Sequence, residues 1–304
     1  MRILIAGGTG LIGQTLIDFW RGAHEITVLG RNKDKLLPLA SQVRLVTWDE
    51  LFTIDAHGFD VVINLCGRNI SDKRWSEKIK ADIIASRVNT TQQLIHWLTL
   101  QKATPRYFSA SAVGIYGLQH EMNQMYDESS PIAWDGLTHD FLSTVAIAWE
   151  KALKPAIDAG IPVTILRFGV VLKRWHGFLK KLAPSFQWGF GAVIGEGAQP
   201  LSWIHHQDLA QAVDFLINHP NLIGPFNLCS PHPITQKAFA TSFAKALKRP
   251  LWLTLPKRVI KLLFGQMGEE LINQGQAVLP STLNAAGFEF KYPRIDDALS
   301  KELI

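Results

Sequence analysis

Only two cysteines, Cys66 and Cys229, occur in 304 residues. Each sits inside an apolar run far from the other, so neither a disulfide framework nor a metal site follows. No run of about 18 apolar residues exists, and no spanning helix is expected. The opening stretch, MRILIAGGTG, breaks into glycines too early for the apolar segment of a signal peptide. The expectation is a cytoplasmic protein with no membrane partner. Positive charge is in modest excess, +5, but Lys and Arg do not cluster. Their densest stretches, residues 73–80 and 245–261, are interleaved with acids or apolar residues, as on the wet side of a helix. Zinc-finger spacing, RNP-like segments and basic-zipper patterns are all missing, which argues against a nucleic-acid partner. Internal repeats and low-complexity segments are missing too.

What is present is apolar and aromatic. The hydrophobic fraction is 47%, with 10 Trp and 16 Phe, enough for a large aromatic core and a pocket walled by rings. Residues 2–6 form a short apolar run ending in glycines, the profile of a buried parallel strand. Residues 11–21 carry Leu11, Ile12, Leu16, Ile17 and Trp20 at helical spacing. Further strands are expected at 25–29, 43–48, 61–65, from 106 and at 163–168, with helices at 79–100 and 137–157. This alternation predicts βαβ units, hence an α/β fold with a doubly wound parallel Rossmann sheet. The rhythm loosens after about residue 170. Residues 177–200 are rich in glycine and aromatics without a clear period. Helices at 208–218 and 233–248 flank a strand at 225–228, and a Pro- and Leu-rich tail follows from 250. We therefore expect a dinucleotide-binding domain over 1–170, to which the chain returns around 200–230. A smaller mixed α/β substrate-side lobe is expected over 171–304.

Directly after the first strand stands Gly7-Gly8-Thr9-Gly10-Leu11-Ile12-Gly13, and a helix follows at once. The G-x-x-G-x-x-G spacing suits a phosphate loop. One glycine allows the tight turn, one lets a pyrophosphate approach the backbone, and one lets helix and strand pack closely. The helix N-terminus then offers free N–H groups and partial positive charge. At the end of the second strand, where an NAD binder carries an acid for the ribose 2′-OH, the chain has Gly30 followed by Arg31. A cation there suits a 2′-phosphate, so the expected cofactor is NADP(H).

Further segments carry a resemblance: Asn64-Leu65-Cys66-Gly67, Arg74-Trp75, Ser86-Arg87-Val88-Asn89-Thr90, residues 109–117 (SASAVGIYG), 166–172 (LRFGVVL) and 202–205 (SWIH). In the tail, 248–250, 275–280 and 286–290 join them. With these the chain resembles the extended short-chain dehydrogenase/reductases, and more narrowly the atypical epimerase family proteins that carry their own C-terminal domain. The resemblance implies a cofactor site made of Gly7, Thr9, Gly10, Leu11, Ile12, Gly13, Arg31, Leu65, Cys66, Gly67, Arg87 and Ser109. It also implies a small-molecule substrate, and a homodimer formed through helices such as 79–100 and 137–157. Members of the wider family have been linked to cell division.

The superfamily's proton chemistry uses a Tyr whose pKa is lowered by a Lys four residues later, on the same helical face. Counting back from Glu150, those positions hold Leu142 and Ala146 here, and neither titrates. Ser111 matches the superfamily's serine, and both substrate orientation and simple packing at a strand end fit it. Tyr116 is a second candidate acid, with a role in the pocket wall as the alternative. Arg87 fits either a cofactor or substrate anion or an ion pair between helices. His205-His206-Gln207-Asp208 resembles a metal cluster at first, but adjacent histidines do not face one another and no second cluster completes a set, so no metal is expected. Asp208 reads as a helix cap, and Trp203 and His205 as substrate-pocket residues. Residues 173–177 (KRWHG) replace the subgroup's glycine pair with a bulkier, more basic loop. Two functions remain open: an NADP(H)-dependent epimerase- or reductase-like enzyme without the usual pair, or a non-catalytic NADP(H)-binding sensor or regulatory protein.

Overall fold

The structure, a computed structural model, describes all residues except 33, 35–40, 42, 136–139 and 304. Its frame is a seven-stranded sheet. The strands are β1 (Arg2–Ala6), β2 (Glu25–Gly30), β3 (Arg44–Thr47), β4 (Val61–Asn64), β5 (Arg106–Ala112), β6 (Val163–Phe168) and β11 (Gly224–Leu228). They are ordered β11-β6-β5-β4-β1-β2-β3, with every neighbouring pair parallel. The central strands are apolar on both sides because helices cover both faces of the sheet. Ile3, Ile5, Ile63 and Phe108 face α1 (Leu11–Phe19) and α6 (His206–Asn218), while Leu4, Val62 and Tyr107 face α2 (Glu77–Leu100). Winding runs outward from β1 to β3, then restarts at β4 on the other side of β1. The topological switch point, where such sheets bind ligands beyond their strand ends, therefore lies between β1 and β4.

Between β5 and β6 lie α3 (Phe141–Lys151) and α4 (Lys154–Asp158). The single helix expected over 137–157 is thus two, with 137–139 outside the described residues. The break falls just before Lys154, and Pro155, which has no N–H to give, sits in the first turn of the second helix. The segment 177–200, unreadable as a period, contains α5 (Gly177–Gln187) with Pro184 inside it.

The remaining chain forms the C-terminal lobe. Short strand pairs join β7 (Val170–Leu172) to β10 (Trp203–His205), β9 (Pro200–Leu201) to β12 (Ile234–Thr235), and β8 (Ala192–Ile194) to β13 (Leu253–Leu255). Around them pack α7 (Gln236–Ala246), α8 (Lys257–Phe264), α9 (Gln266–Leu271), α10 (Ser281–Ala285) and α11 (Ile295–Leu303). The aromatic core is real in part. Trp20, Trp97, Trp203, Phe239 and Phe243 are fully buried, whereas Trp188 and Trp252 are largely exposed. No helix among the described residues is long and apolar enough to cross a membrane.

Candidate functional site

The phosphate loop spans the end of β1 and the start of α1. Gly7 turns the chain at φ +87°, and a Cβ there would meet the Leu65 carbonyl at 3.0 Å. The loop is thereby pressed against the end of β4. A Cβ at Gly13 would lie 2.5 Å from Gly8 Cα, so only glycine lets the helix sit on the loop. Gly10 is different, with only Gly7 O within reach of a Cβ, at 3.4 Å. It opens α1 without a side-chain cap, and the first turn carries no acid. Helix amides at that position have no partner within the helix. The result is an open, positively polarised anion cradle.

Beside it, β2 ends at Gly30 and exposes Arg31. Burial pushes the Cys66 thiol up to about 12, while the nearby Arg31 charge pulls the other way. The Arg31 charge thus acts on the β4 exit, and Cys66 stays a neutral thiol at pH 7. Asn64 shapes the β4 exit, accepting from Cys66 N at 3.1 Å and donating to Thr91 Oγ1 at 3.0 Å. Ser109 is fully buried, its hydroxyl turned to the Ala110 carbonyl. Arg87 reaches this exit from α2, donating to the Arg68 carbonyl at 3.1 Å. The basic loop 173–177 lies against α1. Lys173 Nζ donates to Thr15 Oγ1 at 3.1 Å, and Gly177 abuts Leu11. This loop, singled out in the sequence, thus borders the cradle.

Ser111 and Tyr116, the candidate catalytic hydroxyls, are both committed elsewhere. Ser111 Oγ donates to Glu150 Oε1 at 2.7 Å. Glu150 forms a two-pronged ion pair with Arg167, at 2.9 and 2.8 Å. Arg167 also donates to Tyr116 Oη at 2.8 Å, and Tyr116 donates to Asn227 Oδ1 at 2.9 Å. All five side chains are buried. Burial pushes the Tyr116 hydroxyl up to about 12, outweighing the pull of Arg167, the wrong direction for a base at neutral pH. Both hydroxyls, expected as candidate catalytic groups, here tie β5, α3, β6 and β11 together. Leu142 packs on Gly114, and Ala146 is buried with Ile115 and Tyr116. No titrating group occupies either position.

Trp203 and His205, expected at the substrate pocket, are both fully buried. Trp203 belongs to the core of the C-terminal lobe. His205 caps α6, its Nδ1 accepting from Gln207 N, while Asp208 instead accepts from Lys291 N and Tyr292 N. The fold brings Glu302 to the two histidines, at 2.8 Å from His205 Nε2 and 3.1 Å from His206 Nε2. That third group was invisible in the sequence. With Nδ1 accepting from Gln207 N, it is Nε2 that faces the Glu302 carboxylate as donor.

A cavity of about 520 Å³ opens where the C-terminal lobe meets the N-terminus of α3, lined by Tyr116, Asp140, Gln266, Glu269, Glu270 and Gln274. Glu270 was missed in the sequence. From α9 its carboxylate accepts from Phe141 N at 2.9 Å and Leu142 N at 3.1 Å, capping α3 from 128 residues away. A larger hollow of about 820 Å³ lies at the opposite edge of the sheet, against Arg2, Glu25 and Arg44. It is remote from the phosphate loop, whereas the smaller cavity lies against Tyr116 and the start of α3.

Residues 3–229 match the model of the NAD dependent epimerase/dehydratase family, and residues 255–302 match a domain of unknown function, DUF1731. An epimerase family protein of Mycobacterium bovis is 36% identical over 301 residues, covering 98% of this chain and 96% of the relative. One from Staphylococcus aureus is 33% identical over 302 residues, with 98% and 97% covered. A human epimerase family protein crystallised with NADPH superposes with TM-score 0.88 at 31% identity, covering 100% of this chain and 99% of that one. A Bacillus cereus UDP-glucuronic acid 4-epimerase in complex with NAD shares the fold at 15% identity, TM-score 0.75, with 100% and 96% covered.

Proposed function

The chain belongs to the NAD dependent epimerase/dehydratase family, and from that premise we propose that it binds NADP(H) in the crevice beyond β1, β2 and β4. There it acts as an epimerase- or reductase-like protein on a small molecule held between the sheet and the C-terminal lobe. The observation that carries this reading is the end of β2, where Gly30 stands in place of an acid and Arg31 is exposed. A cation there suits a 2′-phosphate, and a carboxylate would repel one. The glycine cradle and the uncapped α1 fit the pyrophosphate. A bound cofactor supplies hydride chemistry. The protein's own residues bind and orient it, with no Tyr–Lys pair to move the proton. Titration with NADPH and NADH tests the reading. NADPH should bind more tightly, and Arg31→Ala should lower its affinity about tenfold while leaving NADH unchanged. Equal effects on both would contradict it.

A second reading, a non-catalytic NADP(H) sensor or regulatory protein, is favoured by one specific feature. Leu142 and Ala146 are inert, and the Ser111 and Tyr116 hydroxyls are tied into a buried network. NADPH binding without cofactor oxidation across a panel of carbonyl compounds would select it.

A further inference from the structure

The C-terminal lobe carries its cations on chain that has no acids. Between Asp158 and Glu196, and again between Asp214 and Glu269, there is no Asp or Glu. The fold brings these two stretches together by pairing β8 with β13 in parallel, Leu253 opposite Ala192 and Leu255 opposite Ile194. A parallel pair is entered at one end, so the turns leading into both strands are neighbours. The turn before β8 holds Trp188 and Phe190, 79% and 61% exposed. The turn before β13 holds Lys248, Arg249 and Trp252, all exposed, with Trp252 at 67%. Beyond the far end of β13, Pro256 opens α8. That helix buries Ile260 and leaves Arg258, Lys261, Leu262 and Leu263 outward, Leu262 being 77% exposed.

Single exposed apolar residues are ordinary, but aromatics and leucines gathered along one strand pair need a partner. Charge selects which. A second copy docking through the same face would set Lys248, Arg249, Arg258 and Lys261 against themselves, because a two-fold contact repeats one patch on both sides. A surface of anionic phospholipid instead meets each feature with its complement. Tryptophans settle at headgroup level, leucines of a short amphipathic helix enter the acyl boundary, and Lys and Arg stems carry their charges to the phosphates. Along the sequence these features are hidden, and the sequence alone predicts no membrane partner. No segment is long enough to span, and the basic stretch 245–261 looks diluted by apolar residues. In the fold those apolar residues are the other half of the surface.

We propose that the face built from the 188–190 turn, β13 and α8 binds the surface of anionic membranes reversibly, without spanning them. This attachment needs no bound cofactor. Co-sedimentation of the full chain tests it, with vesicles of equimolar phosphatidylglycerol and phosphatidylcholine against vesicles of phosphatidylcholine alone. The mixed vesicles should bind at least about tenfold more tightly, and the difference should shrink at high salt. Two pairs of substitutions at exposed positions divide the contributions. Trp252→Ser with Leu262→Asp removes apolar anchors, and Arg249→Gln with Arg258→Gln removes cations. Each pair should weaken binding to the mixed vesicles about tenfold while melting as wild type does. Absence of binding to the mixed vesicles at low salt overturns the proposal, as does equal binding to both vesicle types or undiminished binding by either pair. A dimer in sedimentation velocity that Leu262→Asp dissolves would assign the face to a second copy, and overturn the proposal too.

Discussion

Glu150 and Arg167 sit 17 residues apart in sequence, yet meet through two charge-assisted hydrogen bonds with almost no solvent access. Burial alone would lower the arginine's pKa, but its bonds to Glu150 more than offset that and hold it charged. Removing one partner strands the other in a dry site. Glu150→Gln should cost about 3–5 kcal/mol by urea unfolding, whereas Ser111→Ala, which removes one neutral donor, should cost about 1 kcal/mol. A Glu150→Gln variant as stable as wild type would refute the network's structural role. Sequence reading reached Ser111, Tyr116 and Glu150 one at a time, by resemblance. It did not reach the network, because β6 lies beside β5 only in the folded sheet, in the register Ser111↔Arg167. The glycine loop was legible for the opposite reason. Gly7 and Gly13 meet constraints set by residues within a few positions, or by the adjoining strand end.

At the scale of elements, strands buried on both faces were readable as continuous apolar runs, and β1, β2 and β4 lie within a residue of their expected bounds. Within the C-terminal lobe, α7 (Gln236–Ala246) falls inside the helix expected over 233–248, but the rest was not readable. Its strands are two or three residues long, and α5 carries Pro184 in mid-helix, so neither period could show. Its attachments are also non-local. Glu302 on α11 accepts from His205 and His206 at the start of α6, and from the backbone of Arg174. Burial alone would raise its carboxyl, but the histidine bonds overcome this and hold it well below the usual carboxylate range. A carboxyl depressed on folding contributes its stability above the unfolded pKa of about 4.3, and loses it as pH falls through the folded value. Glu302→Gln should therefore melt below wild type at neutral pH, with the gap closing towards strong acid. A gap constant between neutral pH and strong acid would contradict the assignment.

Across the whole molecule, the two parts are interlocked. Residues 119 and 126 bridge to 275 and 278, Glu270 caps α3, and Val278 packs with Tyr116 and Ala146. The C-terminal lobe thus closes over the end of the helix that carries the superfamily's reactive pair, while leaving a cavity there. Leu142 and Ala146 stand on that helix, and the central proposal is that the glycine cradle takes NADP(H). Energy transfer from the protein's tryptophans to the reduced nicotinamide tests this most directly, in parallel titrations of the wild-type chain with NADPH and NADH. Saturable transfer with NADPH at concentrations at least about tenfold below those needed for NADH is the predicted result. Saturation with neither, or at equal concentrations for both, would contradict it.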